Sequence, residues 1–199
     1  MEKEERQKVA DQIMSVHGNA RGDLLLSTIS YIKQREGDNG LKDVENELKR
    51  LGYPIDFNNI ERLKWYPKSV NILIYFLCTE IFKWGKEDIF ELGRAAVKLA
   101  LITRVIAKYF ISVEKMFEQA PSNWDKYVDF GSAETVEVNN EKRYGIVRIH
   151  GYNFHPVGCY YLEGFFIGML DFVVQGKKEI EETKCVHKGD SYHEFILRW

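Results

Sequence analysis

Four side chains in the last part of the chain are of the kinds that bind a divalent metal: Cys159, Glu182, Cys185 and His193. Zinc takes four ligands from thiolate, imidazole and carboxylate groups, and a closed tetrahedral set is structural. A turn at Gly189-Asp190 would set Cys185 and His193 across a hairpin, where opposed Cβ atoms lie about 5 Å apart. Glu182 is harder to place. It stands three residues before Cys185, so in a regular strand the two point to opposite faces. A bulge, or the strand's start, is required to bring both to one metal. The same residues also read as two buried reduced cysteines acting as small hydrophobes, a solvated glutamate and a histidine on an edge strand.

The elements that must position these groups follow from the local pattern. Pro156 to Val174 reads as one apolar helix with Cys159 near its start, and Lys178 to Trp199 reads as a hairpin. Gly164 and Gly168 are one helical turn apart and let another backbone come close, as a cavity wall or as ordinary packing. Aromatic side chains crowd this region, and small-molecule pockets are lined in that way. The expectation is an internal apolar cavity between the 156–174 helix and the sheet, with Tyr152, Phe154, Tyr161, Phe165 and Gly168 as the ligand residues. Aromatic stripes are also ordinary core.

Upstream, apolar spacing predicts helices over 5–16, from Leu25 to the Gly37–Gly40 turn cluster, and from Leu41 to Leu51, closed by Gly52. Residues 53–66 read as irregular. Pro67 opens a strong helix to about Lys83, since proline fits a first turn. Gly85 breaks the chain, helical stretches follow near 87–109 and 112–119, and Pro121 ends the helical half. The period then changes to two, with strands over 135–139 and 143–150 joined by a turn at Asn139-Asn140. Helices, hairpin, helix, hairpin is an α+β order: a helical N-terminal half packed on an antiparallel sheet with a crossing helix. The division is 1–120, helical, and 121–199, a ligand-binding module, read as one integrated domain.

The 199 residues suffice for one sizeable core. A net charge of −2 lacks the basic surplus of a general nucleic-acid binder. Three cysteines form no disulfide framework, and reduced thiols point to a cytoplasmic protein. The charged N-terminus is not a signal peptide. The run Val70–Phe82 is too short to span a bilayer. No Gly-x-Ser-x-Gly, P-loop or Gly-x-Gly-x-x-Gly is present, so no enzyme activity is expected. The apolar stretches Val70–Phe82 and Ala95–Ala107 exceed what one small sheet covers, which suggests a homodimer.

The C-terminal segment resembles the signature of the 4-vinyl-reductase-type small-molecule-binding domain. That pattern is a Cys heading a glycine-bearing helix (Cys159), then Glu-x-x-Cys (Glu182-Thr-Lys-Cys185), then Gly-Asp-x-x-Cys-x-Phe (here Gly189-Asp-Ser-Tyr-His193-Glu-Phe195). His193 stands where the family usually has Cys, and histidine is a competent zinc ligand. The resemblance implies zinc at these four positions, because phenol-sensing relatives bind it there. Those relatives hold the ligand hydroxyl with a His and a Trp; counting back from Cys159 finds Phe110 and Val138, so an apolar ligand is expected instead. The helical half looks like the N-terminal part of small bacterial proteins of unassigned function, on Gly52, Trp65, Pro67 and Gly93. The superfamily is shared with haem-based nitric-oxide sensor domains and TRAPP vesicle-tethering subunits, implying their α+β ligand-binding fold.

No haem is expected. A haem needs an axial ligand, and His17, His150 and His155 do not precede the sheet on a helix as those sensors' ligands do. Their Tyr-x-Ser-x-Arg motif is also missing. The function expected is an apolar-ligand-binding sensor with structural zinc, passing its signal to a protein partner. The alternatives are a scaffold resembling the tethering subunits and an accessory factor in tetrapyrrole metabolism.

Overall fold

The computed structural model describes residues 2–101, 105 and 112–199. Helix α1 (Lys3–Met14) is followed by the short strand β1 (Asn19–Arg21) and the long helix α2 (Gly22–Arg50). Gly37, at φ 74° and ψ −176°, is non-helical and divides α2 into two helical segments, where the sequence predicts two helices. Strand β2 (Trp65–Pro67) pairs antiparallel with β1, Ala20 opposite Tyr66. This corrects the reading of 53–66 as wholly irregular. Proline is tolerated because it ends a short edge strand. β2 runs straight into α3 (Lys68–Ile81), and the Lys68 amide donates to the Gly18 carbonyl at 2.8 Å.

Helix α3 is buried from Lys68 to Cys78 by α1, α2 and the later crossing helix. The apolar surplus that suggests a dimer is thus covered within one chain over Val70–Cys78. Helix α4 (Lys86–Leu99) starts at Gly85, where Asp88 accepts from the Gly85 amide. It covers the first part of the helix expected over 87–109; much of the remainder lies outside the described residues.

Helix α5 (Val113–Tyr127) corrects the expectation that Pro121 ends the helical half, because the helix runs through it. Proline removes the N–H that would bond the carbonyl four residues back. That carbonyl belongs to Phe117, and it accepts from Thr135 Oγ1 at 2.6 Å instead. The lost bond is replaced from the sheet.

Strands β3 (Ser132–Asn139) and β4 (Tyr144–His150) form the first hairpin. Helix α6 (Val157–Leu170) crosses to β5 (Glu179–Lys184) and β6 (His193–Arg198), the second. The four strands are antiparallel in the order β3-β4-β6-β5, so the second hairpin inserts its last strand beside β4. This is the α+β architecture expected. One core joins the helices to the inner sheet face through Val147, Ile149, Phe195 and Leu197. Among the described residues no helix is long and apolar enough to cross a membrane.

Candidate functional site: a cysteine, histidine and glutamate cluster beside an apolar cavity

The fold brings the four ligand-type residues together. One donor atom from each of Cys159, Glu182, Cys185 and His193 lies within 4.8 Å of the others. Cys159 comes from the first turn of α6. Glu182 comes from β5, Cys185 from just past its end, and His193 from the start of β6. The pairing of β5 with β6 shifts register between Glu182, opposite Phe195, and Lys184, opposite Glu194. Thr183 is the extra residue of this bulge, and its hydroxyl donates to the Glu194 carboxylate at 2.9 Å. The bulge supplies the bend needed to bring Glu182 and Cys185 to one point.

The loop that follows is built to hold Cys185. A single 3-10 turn, Val186–Lys188, ends at Gly189 with φ 99°. That left-handed conformation favours glycine. The Asp190 carboxylate accepts from the Cys185 amide at 2.8 Å, and the Asp190 amide donates back to the Cys185 carbonyl at 3.2 Å. The Gly-Asp pair therefore fixes the thiol's backbone.

Within the cluster the two Sγ atoms are 3.8 Å apart, and Cys159 Sγ lies 3.8 Å from His193 Nδ1. His193 is fully buried. Its Nε2 is 2.8 Å from the Tyr152 carbonyl, which can only accept, so Nε2 carries a proton. In the neutral ring that leaves the Nδ1 lone pair facing the cluster, the tautomer a metal-binding histidine needs. Nδ1 also lies 2.8 Å from Glu182 Oε1. A neutral Nδ1 and a carboxylate are both acceptors, so a proton or a cation must sit between them. Burial, then the Glu182 charge, raises the Cys159 thiol's pKa; burial also raises that of Cys185. Burial pushes Glu182 upward, but with a proton between it and His193 Nδ1, that hydrogen bond and one from Cys185 outweigh burial and leave the carboxyl below its ordinary value.

Beside the cluster is a cavity of about 100 Å³ between α5, α6 and the inner face of the sheet. Tyr152, Tyr161 and Phe165 line it. Phe154 and Gly168 are not among its lining residues. Phe154 packs edge-on against Phe130, ring centroids 5.1 Å apart. Gly168 faces α4, where a Cβ would come within 2.8 Å of the Arg94 carbonyl oxygen. At Gly164 it would meet the Phe90 carbonyl oxygen at 1.8 Å. Both glycines serve a close helix–helix approach.

Sequence reasoning missed the part of the α5 wall that includes Asn123 and Trp124, because it stopped that helix at Pro121. It also missed Lys68, whose signal was available: a lysine heading an otherwise apolar helix. Phe110 lies outside the described residues, and Val138 on β3 packs, half-buried, against the core. Tyr152 joins the two features: its ring lines the cavity while its carbonyl accepts from His193.

The arrangement of helices and sheet is that of H-NOX domains. The chain superposes on a triple mutant of the S. oneidensis H-NOX protein in its Fe(II) state with a TM-score of 0.68 at 14% identity, covering 89% of this chain and 95% of that one. For the unliganded Fe(II) H-NOX protein from K. algicida the TM-score is 0.63 at 8% identity, covering 89% and 95%. An oxygen-binding H-NOX domain related to soluble guanylate cyclases gives 0.63 at 15%, covering 89% and 94%. At these identities the likeness is one of fold. No protein-family model matches the chain, and no curated protein sequence does.

Proposed function

We propose that the chain is a small-molecule-binding sensor domain, with an apolar ligand in the cavity and a structural zinc on Cys159, Glu182, Cys185 and His193. The cavity beside α6 carries the ligand half of this reading. Its wall is almost wholly carbon, and apolar cavities of comparable size, about 150 Å³, stay dry and bind benzene. The H-NOX fold supports a sensor role, and the resemblance to the 4-vinyl-reductase-type domain supports pairing such a pocket with a metal.

The donor set supports zinc. Two thiolates about 2.3 Å from a tetrahedral zinc stand about 3.8 Å apart, and the two Sγ atoms have that separation. Four protein ligands would leave no open position, so the metal would contribute folding energy. Cys159 would tie α6 to the second hairpin. His193 would be oriented by the Tyr152 carbonyl, so a change in the cavity wall at Tyr152 bears directly on the cluster.

Haem is a poor fit. Some H-NOX proteins of similar fold have been studied for their haem. Here no histidine and no arginine is among the described lining residues. Two of the three phenols at the wall, Tyr152 and Tyr161, are held well above their ordinary pKa by burial, so neither offers a phenolate ligand; the third is Tyr127. The cavity is also well below the roughly 300–1,000 Å³ that larger ligands occupy.

A native mass spectrum of the chain, purified without a metal-affinity tag, tests the proposal and reads out the expected homodimer. One zinc per chain and a small-molecule adduct, retained or formed on adding toluene, are expected. A zinc-free chain that takes up no apolar molecule overturns it.

A further inference from the structure

Lys68 is 3% exposed and lines the cavity. Lysine is almost never fully buried unless paired. No described carboxylate makes an ion pair with this one, and none is among the described lining residues. The ammonium instead faces two aromatic rings, 4.9 Å from the Tyr161 centroid and 5.5 Å from that of Tyr75. Burial lowers its pKa to about 7. Its position adds to the cost. Lys68 is the first residue of α3, and the first turn contains no acid. The positive end of a helix disfavours a cation and favours an anion.

Further polar groups in the same wall lack partners, among them Asn123 Nδ2 and the hydroxyls of Tyr152 and Tyr161. Asn123 Nδ2 is buried with no acceptor. The amide cannot simply be reversed, because Asn123 Oδ1 accepts from Lys126 at 2.8 Å. The Tyr152 hydroxyl is buried without a partner as well. A buried polar group left unpaired costs about 1–3 kcal/mol, so these groups point to a missing acceptor. The wall thus offers an ammonium, an amide N–H and phenol O–H groups, and no counter-charge among the described lining residues.

We infer that the cavity takes a small apolar monocarboxylate of about the size of benzoate, its carboxylate paired with Lys68 and its ring against the aromatic wall. Asn123 and Tyr152 offer further hydrogen bonds from that wall. This rests on the reading of the cavity as a ligand site, and it names the ligand's charge and class. A carboxylate here gives the ammonium its counter-ion out of water, where a charge-assisted hydrogen bond is about twice as strong as a neutral one.

Calorimetric titration of the full chain with benzoate, benzyl alcohol and benzylamine, rings alike in size and different in charge, tests the inference. Benzoate should bind at least tenfold more tightly than benzyl alcohol, and benzylamine most weakly. Lys68→Met should lose the benzoate preference and keep benzyl alcohol binding; Lys68→Gln is the second variant should the first not fold. Equal binding of benzoate and benzyl alcohol to the wild-type chain, or a benzoate preference that survives in the variant, overturns the carboxylate inference alone. Binding of none of the three overturns the ligand reading of the cavity with it.

Discussion

The cluster and the cavity are neighbours built on opposite principles. In the cluster four polar groups from three elements and the loop after β5 converge until each is within 4.8 Å of the rest. In the cavity an apolar wall holds a few polar groups that meet no partner, Asn123 Nδ2 and the Tyr152 hydroxyl among them. The first, on the proposed reading, is a complete coordination set that gains by being closed. The second is an incomplete set that gains by being filled. Stability and ligand binding should therefore separate cleanly when each is broken in turn.

The largest effect is expected from the cluster. Cys185→Ser removes one of the four proposed zinc ligands and leaves the fold's other contacts in place. In zinc at 100 times its dissociation constant, the loss is about 2.7 kcal/mol of stability. Thermal melts with and without a chelator check this: the wild type shifts on chelation and the variant does not. Next is Gly168→Leu, which collides with α4. Overpacking should cost about 1–3 kcal/mol, read as a lowered denaturation midpoint, while Ala133→Leu enters the cavity from β3. The latter should abolish ligand uptake, keep zinc, and change stability by less than about 1.5 kcal/mol.

Smaller effects sharpen the contrast. The helical half supplies a control remote from both features, Glu47, whose hydrogen bond to Arg50 outweighs burial and, with Arg6, holds its carboxyl down at about 2. Its folded pKa is depressed, so its contribution is present above the ordinary value of 4.5 and is lost as pH falls from there towards 2. Glu47→Gln should flatten this acid limb by about 1 kcal/mol, allowing for the partly exposed partners. Acid unfolding monitored by circular dichroism reads it. Tyr152→Phe should change stability least, within about 1 kcal/mol, since the hydroxyl it removes is unpaired. Zinc should stay bound, because His193 uses the Tyr152 carbonyl.

What the sequence made legible follows the same division. The cluster's four residues could be picked out together because they match positions of the 4-vinyl-reductase-type signature, where spacing alone is a weak signal, and the difficulty at Glu182 called for a bulge or a strand start, of which Thr183 provides the bulge. The cavity depends on long-range packing, which spacing does not carry. Gly168 gave the same sequence signal whether it faced a pocket or another helix, and only the approach of α4 decides. Pro121 looked like a terminator because the acceptor left by its missing N–H is satisfied from β3, far along the chain, by Thr135. Lys68 stood in plain view at the head of an apolar helix, but its burial follows from the pairing of β1 with β2 just before it.

Zinc-edge X-ray absorption on the full chain, purified without a metal-affinity tag and dialysed against zinc-free buffer, tests the coordination set most directly. The account predicts two sulfur neighbours at about 2.3 Å and two nitrogen or oxygen neighbours at about 2.0–2.2 Å. A shell of nitrogen and oxygen alone, or a chain that keeps no zinc, would contradict it.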